Sequence, residues 1–168
     1  MKIKKIYFAQ IMDNLAYYEH EKRIADILEA NGYELYFPWR DEGVVFEDQC
    51  TKQDQMKTFH TDVKNIEKCD CMICYIDGDD PGTAVESGIA YALGKPIALY
   101  ATEFPKLHKG TDISKVYPIG VLPANSNQYW VVQSDPAINN MLLGVSNRTV
   151  LNTAEEILNW LKSLENNY

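Results

Sequence analysis

The chain is predicted to be α/β: a single-domain, flavodoxin-like three-layer sandwich around a five-stranded, mainly parallel sheet. Three observations carry this prediction. Short apolar runs alternate with longer stretches of helical periodicity, the pattern of parallel strands joined by right-handed crossovers. The 168 residues suffice for one such domain, residues 1–168, with helices on both faces. An acidic, glycine-containing turn lies directly between an apolar run and a helix, where open α/β sheets bind their ligands.

Residues 6–9, Ile6-Tyr7-Phe8-Ala9, read as the first, central strand. A helix over residues 15–30 follows, because Tyr17, Glu21, Ile24 and Leu28 form a mostly apolar stripe at helical spacing. Asn31-Gly32 supplies its left-handed stop. Residues 33–37 make the second strand, closed by Pro38, and the polar stretch 40–49 reads as a loop over the sheet edge. Residues 51–68 are expected to be helical with Met56, Phe59, Val63 and Ile66 facing inward. Strand three spans 71–76 and strand four 97–100, with a helix from Val85 to Leu93 between them, ended by Gly94 and Pro96.

From 101 to 134 the periodicity fails, and prolines 105, 118 and 123 with glycines 110 and 120 indicate a long irregular excursion. A fifth apolar run falls at 129–132, and Asp135-Pro136 opens a short helix through Leu143. Thr153-Ala154-Glu155-Glu156 is a capping box before the apolar face of Ile157, Leu158, Leu161 and Leu164. The expected strand order is 2-1-3-4-5. Strands one and three then flank the switch point, so Tyr7 and the acidic turn line one crevice.

A formal charge of -8 argues against a nucleic-acid or anionic-membrane partner, which would be repelled. No segment approaches the ~18 apolar residues of a membrane span. The N-terminus runs straight into a strand with no long apolar region, so a cytoplasmic location is expected. A neutral or weakly basic small molecule suits the charge best. Cys71 and Cys74 are three apart in a strand, which sends them to opposite faces, and no second pair completes a zinc site. They read as buried thiols, with Cys50 and Cys69. His20, His60 and His108 lack metal-ligand spacing, and no metal is expected.

The chemistry concentrates in Asp77-Gly78-Asp79-Asp80-Pro81-Gly82-Thr83-Ala84-Val85-Glu86-Ser87-Gly88. Four carboxylates in ten residues repel one another, a density tolerated where it is solvated or used. Glu86 has two readings. Thr83-Ala84-Val85-Glu86 matches a capping box, with Glu86 reaching back to the Thr83 amide. Alternatively, the positive end of the helix dipole holds Glu86 ionised and ready to attack a sugar carbon. A second carboxylate would protonate the departing group, and Asp62, Asp77, Asp79 and Asp80 are the candidates. Spacing does not choose among them. Pro81 stands where an Asp-x-Asp phosphatase needs Thr or Val. Gly88 stands where a calcium loop beginning at Asp77 needs glutamate. Neither a dinucleotide fingerprint nor a Walker sequence is present.

These residues resemble the nucleoside 2-deoxyribosyltransferase family in three stretches: residues 6–9, residues 80–96 and residues 138–146. The resemblance implies that Glu86 is the nucleophile, that the Tyr7 hydroxyl steadies it, and that Asp62 handles the nucleobase proton. It places Asp80 on the sugar hydroxyls and Asn139 on a segment lent by a neighbouring subunit, hence a homo-oligomer, dimer or hexamer. Asp77 and Gly82, in the same acidic turn, are further substrate-binding candidates. Some members also use a C-terminal tyrosine, and Tyr168 ends this chain. The implied reaction exchanges 2-deoxyribose between nucleobases through a covalent glutamyl ester, with retention, as in nucleoside salvage. It implies neither a metal nor an organic cofactor. Trp39, Arg40 and Phe46 stand where a loop could stack on a base or cover the sheet edge.

Two rival readings remain. One is a hydrolase of deoxynucleoside 5-monophosphates, whose members carry a Gly-Ser-basic stretch after the first strand. Gln10-Ile11-Met12-Asp13-Asn14 has no such residues, which favours neutral nucleosides. The other is a non-catalytic nucleoside-binding module with Glu86 as a cap.

Overall fold

Strand β1, Lys5–Ala9, occupies the middle of the sheet and alternates strictly: Ile6 and Phe8 enter one apolar layer, Tyr7 and Ala9 the other. The computed structural model describes residues 2–10, 15–43, 50–77, 80–101 and 140–166. After β1 the chain forms α1 (Leu15–Ala30), β2 (Glu34–Tyr36), α2 (Pro38–Glu42), α3 (Lys52–Lys68), β3 (Cys71–Tyr75), α4 (Pro81–Ala92) and β4 (Ile97–Tyr100). It closes with α5 (Asn140–Val145), β5 (Val150–Leu151) and α6 (Ala154–Asn166). All pairings are parallel and the order is β2-β1-β3-β4-β5, as the sequence predicts.

Each face of the sheet carries its own core. Ile24 and Leu28 of α1, with Ile157 and Leu161 of α6, cover Ile6, Phe8, Ile73 and Tyr100 on one side. Ile66 of α3, Ala90 of α4 and Leu143 of α5 cover Tyr7, Met72, Cys74 and Leu99 on the other. Each fully buried aliphatic side chain contributes roughly 1.5–3 kcal/mol. Cys71 and Cys74 fall in opposite layers, so the Cys-x-x-Cys spacing cannot converge on one ion. At the amino edge, the Asp70 carboxylate accepts from the amides of Lys4 and Lys5, at 2.8 and 2.9 Å, and anchors β1 to the start of β3.

Several expectations are corrected. Pro38 does not close the second strand into a loop. It begins α2, because a proline at the first helical turn lacks a donor that would have gone unpaired anyway. A fifth strand forms at Val150–Leu151, too short to show periodicity, whereas the apolar run at 129–132 lies outside the described residues. So do most of the 101–134 excursion and the first residues of the expected 135–143 helix. Helix α3 turns in only its last turns: Ile66 is buried, but Met56 and Phe59 are 46% and 48% exposed. Its start is fixed by a capping box between Thr51 and Asp54. At α6, Thr153 Oγ1 accepts from the Glu156 amide, while Glu156 reaches the Asn152 amide rather than that of Thr153.

Candidate active site

Helix α4 starts at Pro81, four residues earlier than the sequence suggests, and this changes the role of Glu86. Asp80 is the N-cap, its Oδ2 accepting from the Thr83 amide at 2.5 Å. A Cβ at Gly82 would stand 3.1 Å from that oxygen, so glycine there permits the close cap. Thr83 instead donates its hydroxyl to the Gln10 carbonyl at 3.2 Å, tying α4 to the end of β1. Glu86 lies in the second turn and takes no part in capping.

Its carboxyl turns inward. Tyr7 Oη donates to Glu86 Oε1 at 2.7 Å and lies 3.1 Å from Asp62 Oδ1. Three elements of distant sequence, β1, α3 and α4, thus meet at one hydroxyl. Burial pushes the Glu86 pKa up to about 7. The Tyr7 hydrogen bond pulls it down, and the charges of Asp62, Asp80 and Glu42 push it further up. Desolvation is the largest of these effects. The Tyr7 hydroxyl is itself driven far above its ordinary value by burial and by the two carboxylates, and stays a donor. Burial also raises Asp62, against hydrogen bonds from Glu42 and Tyr7 that lower it.

A cleft of about 760 Å³ opens over these groups, within the range of small-molecule sites. Asp62, Asp80, Gly82 and Glu86 line it together, four of the candidates from the sequence. Phe59 lines it too, as an exposed ring able to cover an apolar ligand face. Two candidates lie elsewhere. Trp39 packs on Tyr18 at 4.9 Å between ring centres and is absent from the described lining. Asp77 is also absent from the described lining; its charge acts on His20 and Tyr100, whose side chains are 2.9 Å apart. Arg40, absent from the described lining as well, is paired with Glu29 and Asp41, both at 2.7 Å. Asn139, Asp79, Phe46 and Tyr168 lie outside the described residues.

Two cleft-lining groups and one residue behind them were missed from the sequence. Glu42, at the end of α2, accepts from Tyr36 Oη and lines the cleft, and burial beside Asp62 pushes its pKa up to about 7. Reading Pro38 as a helix start would have brought it into view. Tyr36, paired in register with Tyr7, sets its ring 5.2 Å from that of Tyr7 and its hydroxyl 3.5 Å from Asp62 Oδ1. Gln10 lines the cleft at the end of β1, and its buried side-chain amide has no hydrogen-bond partner among the described residues. No pattern in the sequence marks it.

Fold and site define a flavodoxin-like α/β protein with tyrosine-held carboxyl groups at its switch point. Residues 6–146 match the family model described as nucleoside 2-deoxyribosyltransferase, and the chain belongs to that family. A 2-deoxyribosyltransferase of Bacillus psychrosaccharolyticus superposes with a TM-score of 0.61 at 20% identity, over 91% of this chain and 89% of that one. A conserved protein of Enterococcus faecalis V583 gives 0.68 at 21% identity, over 96% and 98%. A CMP N-glycosidase of Clostridium botulinum gives 0.47 at 18% identity, over 96% and 99%. No curated protein matches the sequence at a significant level. The family is one of glycosyl-transferring enzymes. Among the described residues, no helix is long and apolar enough to cross a membrane.

Proposed function

We propose that this protein exchanges 2-deoxyribose between nucleobases, with Glu86 as nucleophile. The supporting observation is the 2.7 Å hydrogen bond from Tyr7 to Glu86 at the base of a cleft that Asp62 also lines. In the first step the ionised Glu86 oxygen attacks the anomeric carbon as the bond to the base nitrogen breaks. Electron density leaves with the base, which takes a proton from Asp62. Tyr7 holds Glu86 in line and lowers its pKa, keeping a larger fraction ionised. In the second step an incoming base attacks the ester from the opposite side, Asp62 recovers the proton, and configuration is retained overall. Asp80, already turned toward the cleft by its cap, is the assigned partner of the sugar hydroxyls. Gly82 leaves room beside it.

A homo-oligomer in which Asn139 of one subunit completes the pocket of the next is part of this reading. Val85, Tyr91 and Met141, exposed at 57%, 61% and 76%, provide apolar surface for such an interface. A cytoplasmic salvage role follows from the substrates.

Incubation with deoxyinosine and free cytosine, followed by chromatography, is expected to yield deoxycytidine. Intact-mass analysis is expected to show a sugar adduct that Glu86→Gln abolishes. Release of base and free deoxyribose alone would replace transfer with hydrolysis. No turnover and no adduct with nucleosides or monophosphates would leave a binding module.

A further inference from the structure

We infer that Gln10 is a further nucleoside-binding residue, whose side-chain amide takes a hydroxyl group of the sugar at the α4 end of the cleft. The inference deepens the proposed function and rests on it for the identity of the ligand. Gln10 lines the cleft and is only 4% exposed. Neither its Nε2 nor its Oε1 has a hydrogen-bond partner among the described residues. A buried amide in that condition has given up its bonds to water and received none in exchange, which folded proteins rarely tolerate without a reason. In the wall of a cleft, an arriving ligand can supply the missing bonds.

An amide offers an acceptor and a donor side by side, so its complement is a group that both donates and accepts. A hydroxyl does both. A phosphate does not suit the place: Lys57 is the one cation of the described lining, against carboxyl groups from α2, α3 and α4. Position selects the sugar over the base. Gln10 follows Tyr7 by three residues, and its carbonyl accepts from Thr83 Oγ1 at 3.2 Å. It therefore abuts the first turn of α4, close to the Asp80 cap and Gly82, where the proposed function puts the sugar hydroxyls. Asp62, assigned to the base, projects from α3 instead. A carboxylate such as that of Asp80 can only accept, so a hydroxyl that donates to it keeps lone pairs to fill. Gln10 Nε2 is a neutral donor for them.

Calorimetric titration in the Glu86→Gln background, which blocks turnover, reads binding alone. Gln10→Met keeps the length of the side chain and removes both its donor and its acceptor. Deoxyinosine is expected to bind the double variant about 5–10-fold more weakly than Glu86→Gln. Two analogues, one lacking the 3-hydroxyl and one lacking the 5-hydroxyl, locate the contact: one of them is expected to bind both proteins alike. Hypoxanthine, the base without its sugar, is expected to bind both alike as well. The melting temperature of the ligand-free protein is expected to stay level or rise, because Gln10→Met no longer buries an unpaired amide. Equal affinity of the two proteins for deoxyinosine would overturn the inference while sparing the proposed function. A weakened hold on hypoxanthine, or an equal loss with both analogues, would move the effect to the base or to the fold and overturn it too. A wild-type protein that transfers no deoxyribose, yet shows the hydroxyl-specific loss, would refute the proposed function and leave this inference standing. Binding of no nucleoside, in this background or in wild type, would overturn both.

Discussion

Tyr7 and Glu86 are 79 residues apart in sequence and 2.7 Å apart between oxygens. The tyrosine ring is fully buried in the sheet core, paired in register with Met72 and Tyr36, so its hydroxyl is placed by the backbone of three strands. A flexible side chain is thereby held by a rigid one. That arrangement limits the entropy lost when the carboxylate meets its target.

Tyr7→Phe removes the donor while keeping the ring. Because that hydrogen bond lowers the Glu86 pKa, its loss should move the acid limb of kcat to higher pH and cut turnover about 10–100-fold at neutrality. Stability should change by only about 1 kcal/mol, the usual net value of one such bond. A pH–rate profile with a denaturant titration checks both.

Glu86 predicts its own pH dependence of stability. Its folded pKa, about 7, lies above the ordinary 4.5, so the folded state binds the proton more tightly than the unfolded chain does. The cost of holding the carboxyl inside is absent below about pH 4.5, grows as pH rises toward 7, and is complete above it. Glu86→Gln removes that cost. The variant should match wild type near pH 4.5 and exceed it at pH 8 by up to ~3 kcal/mol, less whatever cleft water screens. Chemical unfolding at the two pH values measures the difference; a variant less stable at pH 8 would contradict it.

Asp80 caps α4, and substitution can separate that duty from the sugar contact proposed for it. Asp80→Asn keeps a side-chain oxygen for the Thr83 amide, so unfolding free energy should stay within ~0.5 kcal/mol while the KM for nucleoside rises. Asp80→Ala should lose about 1 kcal/mol as well, with the same kinetic defect. Equal kinetics for Asp80→Asn and wild type would remove Asp80 from sugar binding.

Trp39 supplies a negative control. It packs at a tilt on Tyr18, whose ring in turn stacks on Phe37, so Trp39→Ala should lower the melting temperature by several degrees. Base preference and KM should be unchanged; a shift in either would place the ring over the substrate.

The sheet order and both apolar layers were readable because strand alternation and helix stripes are strong local signals. Tyr7, Asp80 and Glu86 drew attention because the first strand and the acidic motif pointed to one crevice, whereas Asp62, on α3, came in through the family resemblance. Helix starts were less legible. Proline reads equally as a stop and as a first-turn residue, and both Pro38 and Pro81 proved to be the latter. Misplacing the first hid Glu42, and misplacing the second made Glu86 look like a cap. Met56 and Phe59 keep helical spacing yet face outward, because periodicity reveals a stripe without revealing whether anything of this chain covers it.

The hydroxyl of Thr83 laces the opening turn of α4 to the tail of β1. Glu86 and Tyr7 are consequently joined twice, through their own hydrogen bond and through this tie between their elements. If the proposed function holds, exchanging the flanking connections would retune which molecule is admitted while sparing that pair. A designer seeking altered selectivity has a seam along which to cut.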